Sequence, residues 1–348
     1  MKKRFMPAEW MQQSAVLLAW PTPAGDFRPW YPEVEKTYVQ IAREISQRQT
    51  LIIACGSVAD QRAILAVLNG NGSTLERIRF VHVGYDDIWV RDTAPLTVET
   101  PQGALLLDFR FNGWGRKYDC SRDETLAKSL LDSGVFGKAS FATIDFVLEG
   151  GSIETDGEGT LLTTRTCLLN PNRNPSFSQE AIEQLLRETL GIRRFLWLGH
   201  GDVEGDDTDA HVDTLARFCD ADTIAYTSCD DPDDHHYVGL KAMETELRRF
   251  RTKSGTCYRL VPLPIPKPIF GEERARLPAT YANFLIINDA VLLPVYGDAR
   301  DEVAQQRLAQ CFPTRQVIPI DCRSLIRQYG GIHCMTMQFS NSLPIPPP

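Results

Sequence analysis

The chain has 348 residues, 43% of them hydrophobic, with 37 basic against 45 acidic side chains and a net charge of −8. That is enough apolar material for a substantial core, and the acidic balance argues against nucleic acid as a partner. No apolar stretch reaches the 18 residues of a membrane-spanning helix, so no membrane partner is expected.

In chain order, the start Met1-Lys2-Lys3-Arg4 imitates a signal segment, but Pro7 and Glu9 follow and the apolar run at residues 15–20 is too short to serve as one. That run reads as the first strand. Residues 33–49 predict a helix with Val34, Tyr38, Ile41 and Ile45 on one face. Strands are predicted at 51–55, 78–83 and 104–111, and residues 88–95 read as extended. A strand at 160–169 precedes a helix at 179–190, for which Ser178 is the N-cap. A strand at 223–227, a helix at 241–252, strand material at 284–295, a helix at 302–310 and a strand at 316–320 complete the pattern. This alternation excludes an all-β sandwich and predicts an α/β or α+β fold. No Pro/Ser/Gly-rich linker divides the chain, so one domain is expected over residues 1–343, with the proline-rich 344–348 as a surface appendage. Nine cysteines without a C-x-x-C pair suit a reduced, cytoplasmic interior rather than a disulfide framework.

Several segments carry chemistry. Cys334 closes Gly330-Gly331-Ile332-His333-Cys334, where two glycines allow a sharp turn or a close approach. The plain alternative is a small buried hydrophobe. His211-Val212-Asp213, if extended, points its base and its acid to one side; alternatively the histidine is satisfied by neighbouring backbone. Glu149 stands at the end of the apolar Phe146-Val147-Leu148 and before Gly150-Gly151, which suits a buried acid but also a solvated turn. Asp92 ends Trp89-Val90-Arg91-Asp92. Period two sets Trp89 and Arg91 on one face and Val90 and Asp92 on the other, while an Arg91–Asp92 surface pair is the alternative. Trp114, in Asn112-Gly113-Trp114-Gly115, either walls an aliphatic chain or simply packs. Asp230-Asp231-Pro232-Asp233-Asp234-His235-His236 has neither the zinc-helix nor the EF-hand spacing and reads as a solvated acidic loop. His333 points away from Cys334 on an extended segment and reads as structural.

These motifs, with Cys167-Leu168-Leu169-Asn170-Pro171-Asn172-Arg173-Asn174-Pro175, resemble in order the agmatine deiminase and bacterial-type peptidyl-arginine deiminase family over about residues 7 to 340. The resemblance implies a pentein α/β-propeller, five ββαβ units around a pseudo-fivefold axis, with no metal or organic cofactor. It implies Cys334 as nucleophile, His211 as general acid/base and Glu149 as supporting acid. It further implies Asp92 and Asp213 as guanidinium-binding carboxylates, and Trp89 and Trp114 as walls of a substrate channel. Three departures fall on the pattern: Arg116 where a glycine usually follows Trp-Gly, Asp209-Ala210 in place of Asn-Gly, and Glu154-Thr155 in place of His-Val.

The residues themselves suit a guanidinium, a planar fork of donors that two carboxylates grip while a thiolate attacks its central carbon. The expected reaction is hydrolytic deimination through a covalent amidino-thioether, with agmatine as the leading substrate. Asp206, Asp207 and Asp209 are expected to welcome a distal ammonium, and Arg116 is the one residue that would instead favour a carboxylate. Arginine or peptidyl-arginine deimination, amidino transfer, non-catalytic guanidine binding and a metallohydrolase are the alternatives. A small cationic guanidino compound is the expected partner, and a homodimer is left open.

Overall fold

The computed structural model describes residues 4–272 and 274–346. The first unit opens with β1 (Gln13–Ala19), followed by α1 (Tyr31–Ser46), whose buried face contains Val34, Tyr38, Ile41 and Ile45 as the periodicity predicts. Next come β2 (Thr50–Cys55), α2 (Val58–Leu68) and β3 (Ile78–His82), with Ser57 capping α2 by accepting from the Asp60 amide. A single helical turn, α3 (Val90–Thr93), leads into β4 (Leu96–Thr100), β5 (Gly103–Arg110), the turn α4 (Gly113–Arg116), α5 (Leu126–Asp132) and β6 (Ser140–Val147). The third unit holds β7 (Ile153–Thr155), β8 (Thr160–Thr164), the turn α6 (Arg165–Leu168), α7 (Gln179–Leu190) and β9 (Arg194–Leu198). The fourth holds β10 (Ala216–Asp220), β11 (Thr223–Ser228), α8 (Tyr237–Arg249) and β12 (Arg259–Pro264). The fifth holds β13 (Leu285–Ile287), β14 (Ala290–Val295), α9 (Arg300–Cys311) and β15 (Gln316–Asp321), and β16 (Thr336–Ser340) follows.

One pairing rule repeats. Each unit begins with an antiparallel pair and continues through a helix to a parallel third strand. In the first unit the opening strand is the last of the chain: β16 pairs antiparallel with β1, which runs parallel to β2. The result is five separate sheets, one per unit, the pentein arrangement implied by the sequence resemblance. The middle strands β8 and β11 are buried along their whole length, their threonines included. Among the described residues no helix is long and apolar enough to cross a membrane.

Local expectations fail where side-chain anchors override periodicity. Residues 89–92 are not extended: Val90–Thr93 form a helical turn, with the Asp92 amide bonded to the Trp89 carbonyl at 3.1 Å. The strand expected at 160–169 stops at Thr164, whose hydroxyl accepts from the Cys167 amide and caps the turn α6. The apolar run at 284–295 is a hairpin, turned at Asp289 with φ 63°. The described part of the proline-rich tail is fastened to the body: Leu343 is fully buried, and Arg79 donates to the Pro346 carbonyl at 2.6 Å. Pro347 and Pro348 lie outside the described residues, as do Met1, Lys2 and Lys3.

Candidate active site

The opening strand of every unit is entered through a connection that contributes to one cluster. Asp92 precedes β4, Glu149 precedes β7, His211 and Asp213 precede β10, Asn283 precedes β13 and Cys334 precedes β16. Five equivalent positions therefore converge where the units meet. Gly151 marks the convergence: a Cβ there would lie 2.7 Å from His211 Nδ1 and 3.0 Å from both Asp213 Oδ2 and Asp92 Oδ1. Only glycine lets these three side chains close around the backbone.

Asp92 is fixed by two donors, the Gly151 amide to Oδ1 at 2.8 Å and the Trp114 indole to Oδ2 at 2.9 Å. The helical turn sets Trp89 and Asp92, three apart, on the same side, and sends Arg91 the other way to Glu9 at 3.2 Å. This corrects the extended reading, which put Trp89 and Asp92 on opposite faces and offered Arg91 as a surface partner of Asp92. Trp114 keeps a left-handed backbone (φ 53°) between Gly113 and Gly115 and packs edge-on to Phe111 and Tyr118. His211 and Asp213 do point together, but through a 3-10 turn at Val212–Thr214 rather than a strand. Asp213 Oδ2 lies 2.7 Å from His333 Nδ1 and 3.6 Å from Cys334 Sγ, while Oδ1 is buried without a partner. His333 lies in a turn rather than on the expected extended segment, and because it meets the same Asp213 oxygen as the Cys334 thiol it belongs to the site.

Three further partners had no site role assigned from the sequence: Asn283, Arg173 within the motif at 167–175, and Glu154. Asn283 donates to Cys334 Sγ at 3.1 Å and accepts from the Cys334 amide at 3.3 Å. Arg173 Nε reaches both Glu149 oxygens, at 2.8 and 3.0 Å, and its Nη1 binds Asp209 at 2.6 Å. Glu154, one of the departures from the family pattern, pairs with the fully buried Arg217.

The electrostatics follow from burial. Desolvation, with Asp213 and Glu149 nearby, pushes Asp92 well above the carboxylate range. Burial, then Asp213 and Asp92, push the Cys334 thiol up as well. Burial raises Glu149 despite Arg173, and it drives His211 down to about 3, so that this imidazole is neutral at working pH. Both His211 ring nitrogens are buried without a hydrogen-bond partner. Asp213 falls below the usual range in spite of its burial, because His333 bonds to it.

Two groups place metal-type ligand atoms together: Glu149, Cys167 and His211, and Glu9, Glu154 and His333. Each already has a guanidinium in its midst, Arg173 in the first and Arg217 in the second, and a fixed cation opposes a metal ion there. The expected acidic loop at 230–236 is not wholly solvated. His236 is buried, with Nδ1 2.7 Å from Asp234 and Nε2 accepting from the Glu204 amide, and Asp234 also binds Arg276.

Trp89, Trp114, Asp92 and Cys334 line a narrow cavity of about 90 Å³, with Asp26, Asp87, Asp206 and Asp207 further out. His211, Asp213 and Glu149 stand immediately behind, fully buried. Asp209 does not line the cavity; Arg173 and Lys117 take its carboxylate. Arg116 is exposed and does not line it either, and among the described lining residues none is cationic.

A pentein whose five connections gather a cysteine, a histidine and three carboxylates at and behind one cation-attracting cavity has the make-up of a guanidine-modifying enzyme. The chain belongs to the Porphyromonas-type peptidyl-arginine deiminase family, which it matches over residues 5–340. It is 34% identical to agmatine deiminase of Stutzerimonas stutzeri, an alignment covering 96% of this chain and 95% of the relative. A cysteine-to-serine variant of C. jejuni agmatine deiminase, solved with substrate bound, superposes with a TM-score of 0.89 at 35% identity, covering 98% of this chain and 97% of that one. A Porphyromonas gingivalis structure provisionally described as an arginine deiminase superposes with a TM-score of 0.92 at 43% identity, covering 98% and 99%.

Proposed function

We propose that the chain hydrolyses agmatine to N-carbamoylputrescine and ammonia. The observation that carries this reading is the cavity itself, with a thiol and a fixed carboxylate at its base, aromatic walls, carboxylates at its outer end and no cationic lining residue. A substrate with a cation at each end and a short apolar chain between them matches that order. The carboxylate of free arginine would meet Asp26, Asp87 and Asp207 without a compensating cation.

In this reading the guanidinium seats against Asp92 and the free Oδ1 of Asp213. Its positive charge reverses the field that holds the Cys334 proton, and neutral His211 accepts that proton. Sγ bonds to the central carbon, and His211 returns the proton to the departing nitrogen as ammonia leaves. The amidino-thioether keeps the positive charge. Water then loses a proton to His211 and adds to the same carbon. The C–S bond breaks, the new hydroxyl's proton passes to sulfur, and His211 sheds its proton to the released ammonia or to solvent, leaving the ureido product, the thiol and neutral His211. Asn283 steadies the sulfur through both steps, and Glu149, fixed by Arg173, supports the charge on His211.

Arginine or peptidyl-arginine is the second reading, favoured by the Porphyromonas gingivalis relative. Ammonia release from agmatine, arginine and an arginine-containing peptide, measured side by side, decides. Agmatine is expected to have the highest kcat/KM; a preference for either of the others overturns the substrate assignment. The nine unpaired cysteines fit a cytoplasmic setting. A homodimer also belongs to this proposal and is tested by light scattering.

A further inference from the structure

We propose that His333, braced by Glu9, is a positioning residue that holds Asp213 as an aimed anion before substrate arrives, so that the cavity is charged in advance for a guanidinium. The proposal rests on the reading of Asp213 as a guanidinium-binding carboxylate.

His333 is completely buried, and each of its ring nitrogens meets a carboxylate: Nδ1 lies 2.7 Å from Asp213 Oδ2 and Nε2 lies 2.8 Å from Glu9 Oε1. A neutral imidazole has one N–H and one lone pair, so it satisfies only one such contact; the other would set lone pair against lone pair. Only the doubly protonated ring donates to both. Burial, with Arg217 and Arg91 nearby, pulls the imidazole the other way, toward neutrality. Yet both carboxylates are held below their ordinary range: Asp213 by His333 despite burial, and Glu9, against its own burial, by His333, Arg217 and Arg91. With two anions in contact, the shared protons reside on the ring.

The charged groups around the ring form a closed set. Glu9, from the segment before β1, accepts from Arg91 at 3.2 Å and from Arg217 at 2.6 Å, and Arg217 in turn pairs with Glu154 on β7. Asp213 is the one carboxylate of the set that reaches the sulfur, at 3.6 Å. The ring is itself immobilised, because the His333 amide donates to Asn283 Oδ1 at 3.0 Å and the His333 carbonyl accepts from Arg91 Nε at 3.3 Å. Oδ2 of Asp213 is thereby tied down, and Oδ1 stays buried and unpartnered for a ligand. An oriented carboxylate with one oxygen anchored and one free costs less to organise when the cation enters.

Two measurements test this. In the wild-type enzyme labelled with nitrogen-15 histidine, the His333 ring, assigned by its loss in His333→Gln, is expected to show two protonated nitrogens at neutral pH without substrate. A single bare nitrogen overturns the proposal whether or not any guanidino compound is turned over, so its failure is separable from that of the proposed reaction. In His333→Gln and His333→Asn, KM for agmatine is expected to rise about tenfold or more while kcat changes less. Without the cation the Asp213 pKa rises, so binding is lost at higher pH as the solution is acidified, and the acid limb of kcat/KM moves up. Glu9→Gln moves it in the same direction by less. Variants that melt earlier but keep the wild-type KM and pH profile would assign His333 a purely structural role.

Discussion

The thiol of Cys334 sits in surroundings that oppose its ionisation, buried and facing Asp213 and Asp92, with the Gly331 backbone and Asn283 in support. In the proposed reaction a cationic substrate inverts that balance, so that Cys334 is armed by the molecule it attacks. Cys334→Ser is expected to bind agmatine yet lose about a thousandfold or more in turnover, because a hydroxyl is a far weaker nucleophile at neutral pH. Isothermal titration beside ammonia release checks both halves, and a variant keeping a tenth of wild-type activity defeats the assignment. At the outer end, burial raises Asp87 to about 6, so it is an anion above that pH and neutral below. Its attraction for a distal ammonium is present above pH 6 and is lost as pH falls through it. Agmatine KM is expected to rise on acidification through that value in wild type, and Asp87→Asn should raise KM on the order of fivefold at pH 8 and flatten the dependence. Unchanged kinetics in the variant would remove Asp87 from the substrate path. At this scale the chain announced its chemistry well: Trp89, Asp92, Trp114, Glu149, His211, Asp213 and Cys334 gather within one neighbourhood. Asn283 carried no signal, since an asparagine before an apolar run is ordinary by composition, and Arg173, although it stands within the motif at 167–175, gave no hint there of its pairing with Glu149.

Elements place these side chains through turns rather than through strands. The α3 turn swings Trp89 and Asp92 to one side, and the 3-10 turn at Val212–Thr214 brings His211 and Asp213 together. Gly151 is the test of how tightly the turns close. In Gly151→Ala the new methyl would press on His211 Nδ1 at 2.7 Å and on two carboxylates at 3.0 Å. The expected outcome is a folded protein, normal by circular dichroism, with kcat/KM down by about a hundredfold or more. Near-normal kinetics would mean that the three side chains give way freely. The long amphipathic helices were legible because a 3.6-residue apolar period needs no partner to be seen. The short turns were misread as extended, because their conformation is set by contacts with distant residues, such as the Arg91 amide bonded to the Cys334 carbonyl at 3.1 Å.

At the scale of the molecule, five units of one topology each contribute a connection to the same centre, which gives the site residues from 92 to 334 one address. The final strand completes the first sheet, so Cys334, the proposed nucleophile, stands two residues before the strand that pairs with β1. Near the centre two fixed arginines already pair with carboxylates, Arg173 with Glu149 and Arg217 with Glu154. Activity is therefore expected to survive exhaustive dialysis against EDTA. Loss of ammonia release that zinc or manganese restores would assign Glu149, Cys167 and His211 to a metal instead.

Composition and periodicity were sufficient by themselves for the α/β class, which depends on side-chain type and spacing along the chain, and the ordered motifs, through their family resemblance, pointed to the chemical class and to residues that the fold gathers at the centre. What only the tertiary structure decided is which groups share a proton or a charge. The union of His333 with Asp213 and Glu9, the capture of Asp209 by Arg173, and the exclusion of Arg116 from the cavity all join or separate residues across different connections. Burial then sets their ionisation, and burial is a property of the folded assembly that no local pattern encodes.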